Sequence, residues 1–154
     1  GDQRVGSRLV REALASGDMA QAARWLGRPF SMRGRVQRGA QLGRQLGFPT
    51  VNIAPRRRRL PLSGIFAVRV QTDSLPARGW PGVASLGTRP VVNGVEPLLE
   101  VHLFDYSGDL YGHELEVEFV ARLRDELHFD SLEPMIEQMH RDAADARRAL
   151  AGTV

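Results

Sequence analysis

Glu114-Leu115-Glu116-Val117-Glu118-Phe119-Val120-Ala121-Arg122-Leu123 carries the clearest structural pattern in the chain. Leu115, Val117, Phe119, Ala121 and Leu123 take one face of an extended backbone, and Glu114, Glu116, Glu118 and Arg122 share the other. That is the period-two alternation of an antiparallel strand with one wet face, on which the glutamates are solvated. Upstream, residues 65–70 read as a buried strand bounded by Gly64 and by the turn residues Asp73, Ser74 and Pro76. Shorter strands are predicted at 83–86, between Pro81-Gly82 and Gly87, and at 98–104, with a first one at 32–38. Residues 106–112 carry two glycines between two strands and read as a hairpin loop. Downstream, Leu132, Met135, Ile136, Met139, Ala143, Ala146 and Leu150 form the apolar stripe of a helix over 131–150. Ser131 suits its N-cap, Pro134 its first turn, and Arg147 and Arg148 its C-terminal end. Two short helices are expected within residues 8–26, separated by Gly17, with Asp18 capping the second. Five or six short strands between helical ends suggest a mainly β protein built as a barrel.

The 154 residues are 42% hydrophobic and 25% charged, about one domain's worth of chain with one core. No apolar run approaches the roughly 18 residues of a membrane span, and there is no signal-peptide pattern at the start. Cysteine is absent, which excludes disulfide scaffolds, thiolate nucleophiles and cysteine metal sites. All 21 basic residues are arginine. Without lysine there is no Walker-A loop, no protein-kinase phosphate clamp and no Schiff-base chemistry. A net charge of +3 is too small to imply nucleic-acid binding. The four arginines at 56–59 read as a solvated loop, because no aromatic residues interleave them. Trp25 and Trp80 read as packing residues.

Residues 34–52 are the most unusual stretch. Gly39, Gly43 and Gly47 allow close backbone approach to a ligand and amides aimed at phosphate oxygens, and they equally suit a hairpin loop. Phe48 precedes Pro49, which favours an extended segment through Asn52. Thr50 and Asn52 are two apart and share a face on a strand. A hydroxyl beside an amide oxygen suits Mg²⁺ that takes its other ligands from phosphate and water. Taken alone, Thr-x-Asn is more often a turn or cap feature. In the strand at 98–104, Leu99, Val101 and Leu103 take one face, leaving Glu100 and His102 on the other, where the core does not claim them.

Gly47-Phe48-Pro49-Thr50-Val51-Asn52 resembles the Gly-x-Pro-Thr-Ala-Asn signature of riboflavin kinases, with Val51 in place of alanine. The resemblance continues through Gly64-Ile65-Phe66-Ala67-Val68, residues 82–90, Leu99-Glu100-Val101-His102-Leu103-Phe104-Asp105, Asp109-Leu110-Tyr111-Gly112, Leu123-Arg124-Asp125-Glu126 and Phe129-Asp130-Ser131-Leu132-Glu133. It implies a six-stranded antiparallel Greek-key barrel with a long C-terminal helix and a short helical lead-in. It also implies transfer of the γ-phosphate of ATP to the 5′-hydroxyl of riboflavin, giving FMN and ADP. Glu100 would be the general base. Thr50 and Asn52 would hold Mg²⁺, with Mn²⁺ or Zn²⁺ compatible with the same ligands. The nucleotide would lie against Gly34, Gly39, Gly43, Arg44, Gly47, Phe48, Pro49, Thr50 and Asn52, with further phosphate contacts open to Arg35 and Arg38. The flavin would lie against Tyr111, Asp130, Leu132 and Glu133. His102 is assigned no role.

Val5-Gly6-Ser7-Arg8-Leu9-Val10-Arg11 and the residues to Phe30 are similar to the tail of the adenylyltransferase module in bifunctional FAD synthetases. Gly6 and Arg8 replace a serine and a threonine of its Ser-Ser-Thr-x-Ile-Arg motif, so adenylyltransfer is not expected here. Residues 1–28 are thus expected to be a linker from that N-terminal module, and 29–154 a kinase domain of a longer cytoplasmic enzyme without nucleic-acid or membrane partners. Three competing readings stay open. One is a basic β-barrel binding single-stranded nucleic acid, another a split-barrel flavoprotein using FMN for redox work, and the third a fragment that only docks or regulates.

Overall fold

The computed structural model describes residues 7–37, 49–55, 60, 62–73, 75, 79–106 and 108–152. Gly39, Gly43, Arg44, Gly47, Phe48, Arg38 and the arginines at 56–59 lie outside them. Helices α1 (Ser7–Ser16) and α2 (Met19–Leu26) lead into strands β1 (Ser31–Gln37), β2 (Val51–Pro55), β3 (Gly64–Gln71), β4 (Trp80–Val91), β5 (Gly94–Leu103) and β6 (Glu114–Arg124), and α3 (Leu132–Ala151) closes the chain. Asp18 caps α2 by accepting from the Gln21 amide at 3.0 Å. All the strand pairs are antiparallel, and they close into a six-stranded barrel in the order β1-β2-β5-β4-β3-β6.

Inward residues fill the barrel: Val36, Ile53, Phe66, Val68, Leu86, Leu99, Val101, Leu115, Val117 and Phe119 are all buried, and Phe66 meets Phe119 edge-on at 5.1 Å. A second cluster sits outside the barrel, where Ala67 and Phe104 meet Ala146 and Leu150 of α3. Arg124 of β6 fastens this helix by a fork of two hydrogen bonds to buried Asp142, at 2.8 and 2.7 Å, and Gln138 donates to the same carboxylate. Trp80 donates its indole N–H to the Phe104 carbonyl at 2.7 Å, and Trp25 and Trp80 both pack against the main core.

Five expectations need correction. The alternation in β6 does not keep one face. Val68 pairs with Phe119 but Ala67 pairs with Ala121, so a bulge turns Ala121 and Leu123 outward into the α3 cluster. The segment at 106–112 is not a hairpin loop, because β5 and β6 are not neighbours. It crosses the barrel end past β2 and β1 and is tied to β1 by Gly112 N–H to the Val36 carbonyl and by Arg35 to the Gly112 carbonyl. The wet-face glutamates are half-buried rather than simply solvated. Glu116 accepts from Ser31 at 2.7 Å and Arg28 at 2.5 Å, and Glu118 accepts from Gln71 at 2.8 Å. The helix stripe fails at its start, since Leu132 is exposed and burial is complete only at Asp142, Ala146 and Leu150. Ser131 occupies the N-cap position without a side-chain cap bond.

Candidate active site

The site is built on the outer face of β2 and β5. Their register sets Val51 opposite Val101, Asn52 opposite Glu100 and Ile53 opposite Leu99. Ile53, Leu99 and Val101 are buried in the barrel, so the intervening Asn52 and Glu100 point outward from neighbouring strands. Directly opposed positions on one face lie about 4.5–5.5 Å apart at Cβ. The row extends across the sheet, with Gln37 of β1 opposite Asn52 and Ser85 of β4 opposite Glu100. Thr50 stands just before β2, two residues from Asn52, a spacing that puts both side chains on one side where the chain stays extended.

Asn52 Oδ1 is buried and has no hydrogen-bond partner among the described residues. An unmet buried acceptor costs about 1–3 kcal/mol, a cost that a ligand at this oxygen would offset. An amide oxygen, a hydroxyl and a carboxylate on one face are hard donors of the kind Mg²⁺ takes. Among the described residues no group of three or more His, Cys, Asp or Glu side chains could hold a metal ion. The oxygen donors present fit a cation that takes its remaining ligands from phosphate and water.

His102, to which the sequence assigns no role, reaches the segment just ahead of β2. Its Nδ1 lies 2.8 Å from the Pro49 carbonyl. A carbonyl only accepts, so Nδ1 carries the proton. The one signal available beforehand was its position two residues from Glu100 on the same face. Gly34 has a packing reason to be glycine: a Cβ there would run into the Ala54 carbonyl oxygen and come within 2.6 Å of Ile53 Cγ2. Arg35 is engaged with the Gly112 carbonyl at 2.6 Å.

The expected flavin residues fall in two places. Tyr111 is half-exposed on the β5–β6 crossing, where its amide bonds Asp109 Oδ1 at 2.9 Å. Asp130, Leu132 and Glu133 are exposed at the start of α3, and Asp130 faces His128 at 3.2 Å. A cleft of 410 Å³ at one end of the barrel is lined by Leu60, Leu62, Gly87, Thr88, Arg122 and Glu126 among others, and its walls include none of Thr50, Asn52 and Glu100. No helix among the described residues is long and apolar enough to cross a membrane.

Comparison with known proteins shows the family. A bifunctional riboflavin kinase/FMN adenylyltransferase of Pseudomonas fluorescens is 50% identical over 149 residues, which is 96% of this chain and 47% of that protein. The chain thus spans about half the length of the curated relatives it matches. A crystal structure described as a macrolide-efflux protein from Streptococcus pneumoniae is 31% identical with a TM-score of 0.83, over 93% of this chain and 46% of that one. A riboflavin kinase from Trypanosoma brucei shares the fold, with a TM-score of 0.55 at 22% identity over 81% of this chain and 82% of that one. Residues 26–150 match the riboflavin kinase family, and with that span covering the whole barrel and all but the last residue of α3, the chain belongs to this family.

Proposed function

We propose that this chain transfers the γ-phosphoryl group of ATP to the 5′-hydroxyl of riboflavin, giving FMN and ADP. The observation that carries the reading is the cross-strand pair Asn52–Glu100, with the buried, unmet Oδ1 of Asn52 beside it. Phosphoryl transfer needs in-line positioning, neutralised phosphate charge and a destination for the hydroxyl proton. Glu100 supplies the last of these. As the 5′-oxygen bonds to the γ-phosphorus and the bond from that phosphorus to the β,γ-bridging oxygen breaks, the hydroxyl proton passes to the Glu100 carboxylate. Thr50 Oγ1 and Asn52 Oδ1 would hold Mg²⁺, which when bound neutralises charge on the phosphates. The same outer face orients the nucleotide toward Glu100 and shields it from the barrel's apolar interior. Tyr111, Asp130, Leu132 and Glu133 are proposed to hold the flavin ring. The relatives named for two activities are about twice as long, and the chain is proposed to be the kinase half of such an enzyme, feeding FMN to adenylyl transfer.

The test is FMN formation from riboflavin and ATP by this chain, followed by separation of the flavins. FMN should form only with ATP and a divalent cation present, and stop on chelation. Absence of FMN under these conditions, with the chain folded, overturns the reading.

A further inference from the structure

We propose that His102 is a positioning residue, whose Nδ1–H on the Pro49 carbonyl holds Thr50 beside Asn52 and Glu100. The nature of the ligand served there rests on the phosphotransfer reading, whereas the tether itself does not. The β2–β5 pairing begins at Val51. Upstream of it, Pro49 has no N–H, so its carbonyl is the one backbone group by which that residue can be held. His102 bonds it at 2.8 Å. Thr50 is therefore fixed on both sides, by the first paired residue of β2 and by this side-chain bond. The imidazole is itself oriented from the other direction. It meets the buried ring of Phe104 edge-on at 5.7 Å, and the Arg147 guanidinium from α3 lies 4.2 Å from the centre of that same ring. His102 thus stands at the seam between the helix-covered side of the barrel and the polar row, and passes the rigidity of the first to the second.

Removing the imidazole leaves Asn52 paired with Glu100 but frees Thr50 to swing away. The effect should fall on the metal-nucleotide and spare the flavin. The experiment uses the full chain as wild type, His102→Ala and His102→Asn, whose amide N–H lies where Nδ1–H was. Mg²⁺-ATP binding is read by calorimetry and riboflavin binding by fluorescence quenching. His102→Ala should bind Mg²⁺-ATP about five- to tenfold more weakly, with the KM for ATP raised to match, as expected for one lost hydrogen bond. Riboflavin affinity should stay within about twofold, and His102→Asn should recover Mg²⁺-ATP binding to within about twofold of wild type. Wild-type Mg²⁺-ATP binding in the alanine variant, equal weakening of both ligands, or an asparagine variant as weak as alanine would each overturn the proposal. If the alanine variant does not fold, His102→Gln replaces it, since its amide reaches past the Nδ1 position; equal behaviour of the glutamine and asparagine variants is then the refuting result. Imidazole ¹⁵N shifts test the tether without any ligand: the Nδ1–H form supports it, and the Nε2–H form overturns it even if the chain makes FMN. A wild type that binds no Mg²⁺-ATP and makes no FMN, yet shows the Nδ1–H form, defeats the phosphotransfer reading and leaves the tether standing.

Discussion

The outer surface of this barrel has two flanks, and the same alternation of residues finishes them in opposite ways. Across β3 and β6 the outward residues Ala67, Ala121 and Leu123 lie under Ala146 and Leu150 of α3, and the charged groups beneath the helix, Arg124 and Asp142, are matched to each other. Across β2 and β5 the outward residues are Asn52, Glu100 and His102, which are half-buried, while α3 packs on β3, β4 and β6 instead. The helix-covered flank meets its polar groups from within. The other leaves Asn52 Oδ1 buried and unmet among the described residues. An ordinary solvated face would let water satisfy that oxygen. An acceptor held in reserve is what a ligand-binding face would need, and it supports the site proposed there.

The sharpest way to break this comparison is to remove one charge on each flank. Glu100→Gln should lower turnover about 10²–10⁴-fold, the usual loss of a general base, while leaving riboflavin binding and the melting temperature near wild type. Near-normal turnover would remove Glu100 from its role. Asp142→Ala should do the reverse. It takes the carboxylate from Arg124, whose side chain is only a fifth exposed and would keep just its bond to the Asp125 carbonyl, and should cost about 3 kcal/mol of stability. At about 2–4 °C per kcal/mol for a domain of this size, calorimetry should show a drop of about 6–12 °C. Turnover below the new melting temperature should persist. Gly34→Ala tests whether β2 depends on its close approach to β1. Its Cβ would press on the Ala54 carbonyl and Ile53, and overpacking of this kind costs about 2 kcal/mol, measurable in urea melts. An unaltered midpoint would show that β2 can move aside freely.

How much of this was legible beforehand depended on whether the deciding interaction was local. The strand expected at 65–70 is found as Gly64–Gln71, because a short apolar run between turn residues is buried on both faces, by the barrel interior and by α3. The outward placement of Glu100 and His102 followed from period-two alternation in their own strand. β4 was read far too short, since Pro81, Gly82, Gly87 and Pro90 look like turn punctuation. They lie inside one strand of twelve residues, and at Gly82 a Cβ would stand 2.5 Å from the His102 carbonyl oxygen. The bulge that turns Ala121 and Leu123 outward is set by pairing with β3, which no pattern within β6 reports. The site shows the same limit. Residue types at 50, 52 and 100 could be singled out, but that Asn52 faces Glu100 depends on β5 being the neighbour of β2, a property of the closed barrel. The bond from His102 spans 53 residues to a proline carbonyl, a group that leaves no mark on any sequence pattern.

The smallest effect should come from one of the glutamates that strand alternation alone does not tell apart from Glu100. Glu116 also points outward from a strand, yet it is held by the hydroxyl of Ser31 and by Arg28 and Arg33. The Ser31 hydrogen bond is the main reason its pKa lies below the ordinary 4.5, with the two arginines adding to it and partial burial opposing it. A folded-state pKa below the unfolded one means that folding favours the ionised form. The stabilisation is complete above pH 4.5 and disappears as the pH falls below that value through the folded pKa. Glu116→Gln should therefore melt lower than wild type at pH 7, and the gap should close toward pH 3. A gap that persists unchanged at acid pH would mean that the carboxylate serves through its shape and neutral hydrogen bonds. In that case Glu116 would have to be understood by what it touches and not by its charge.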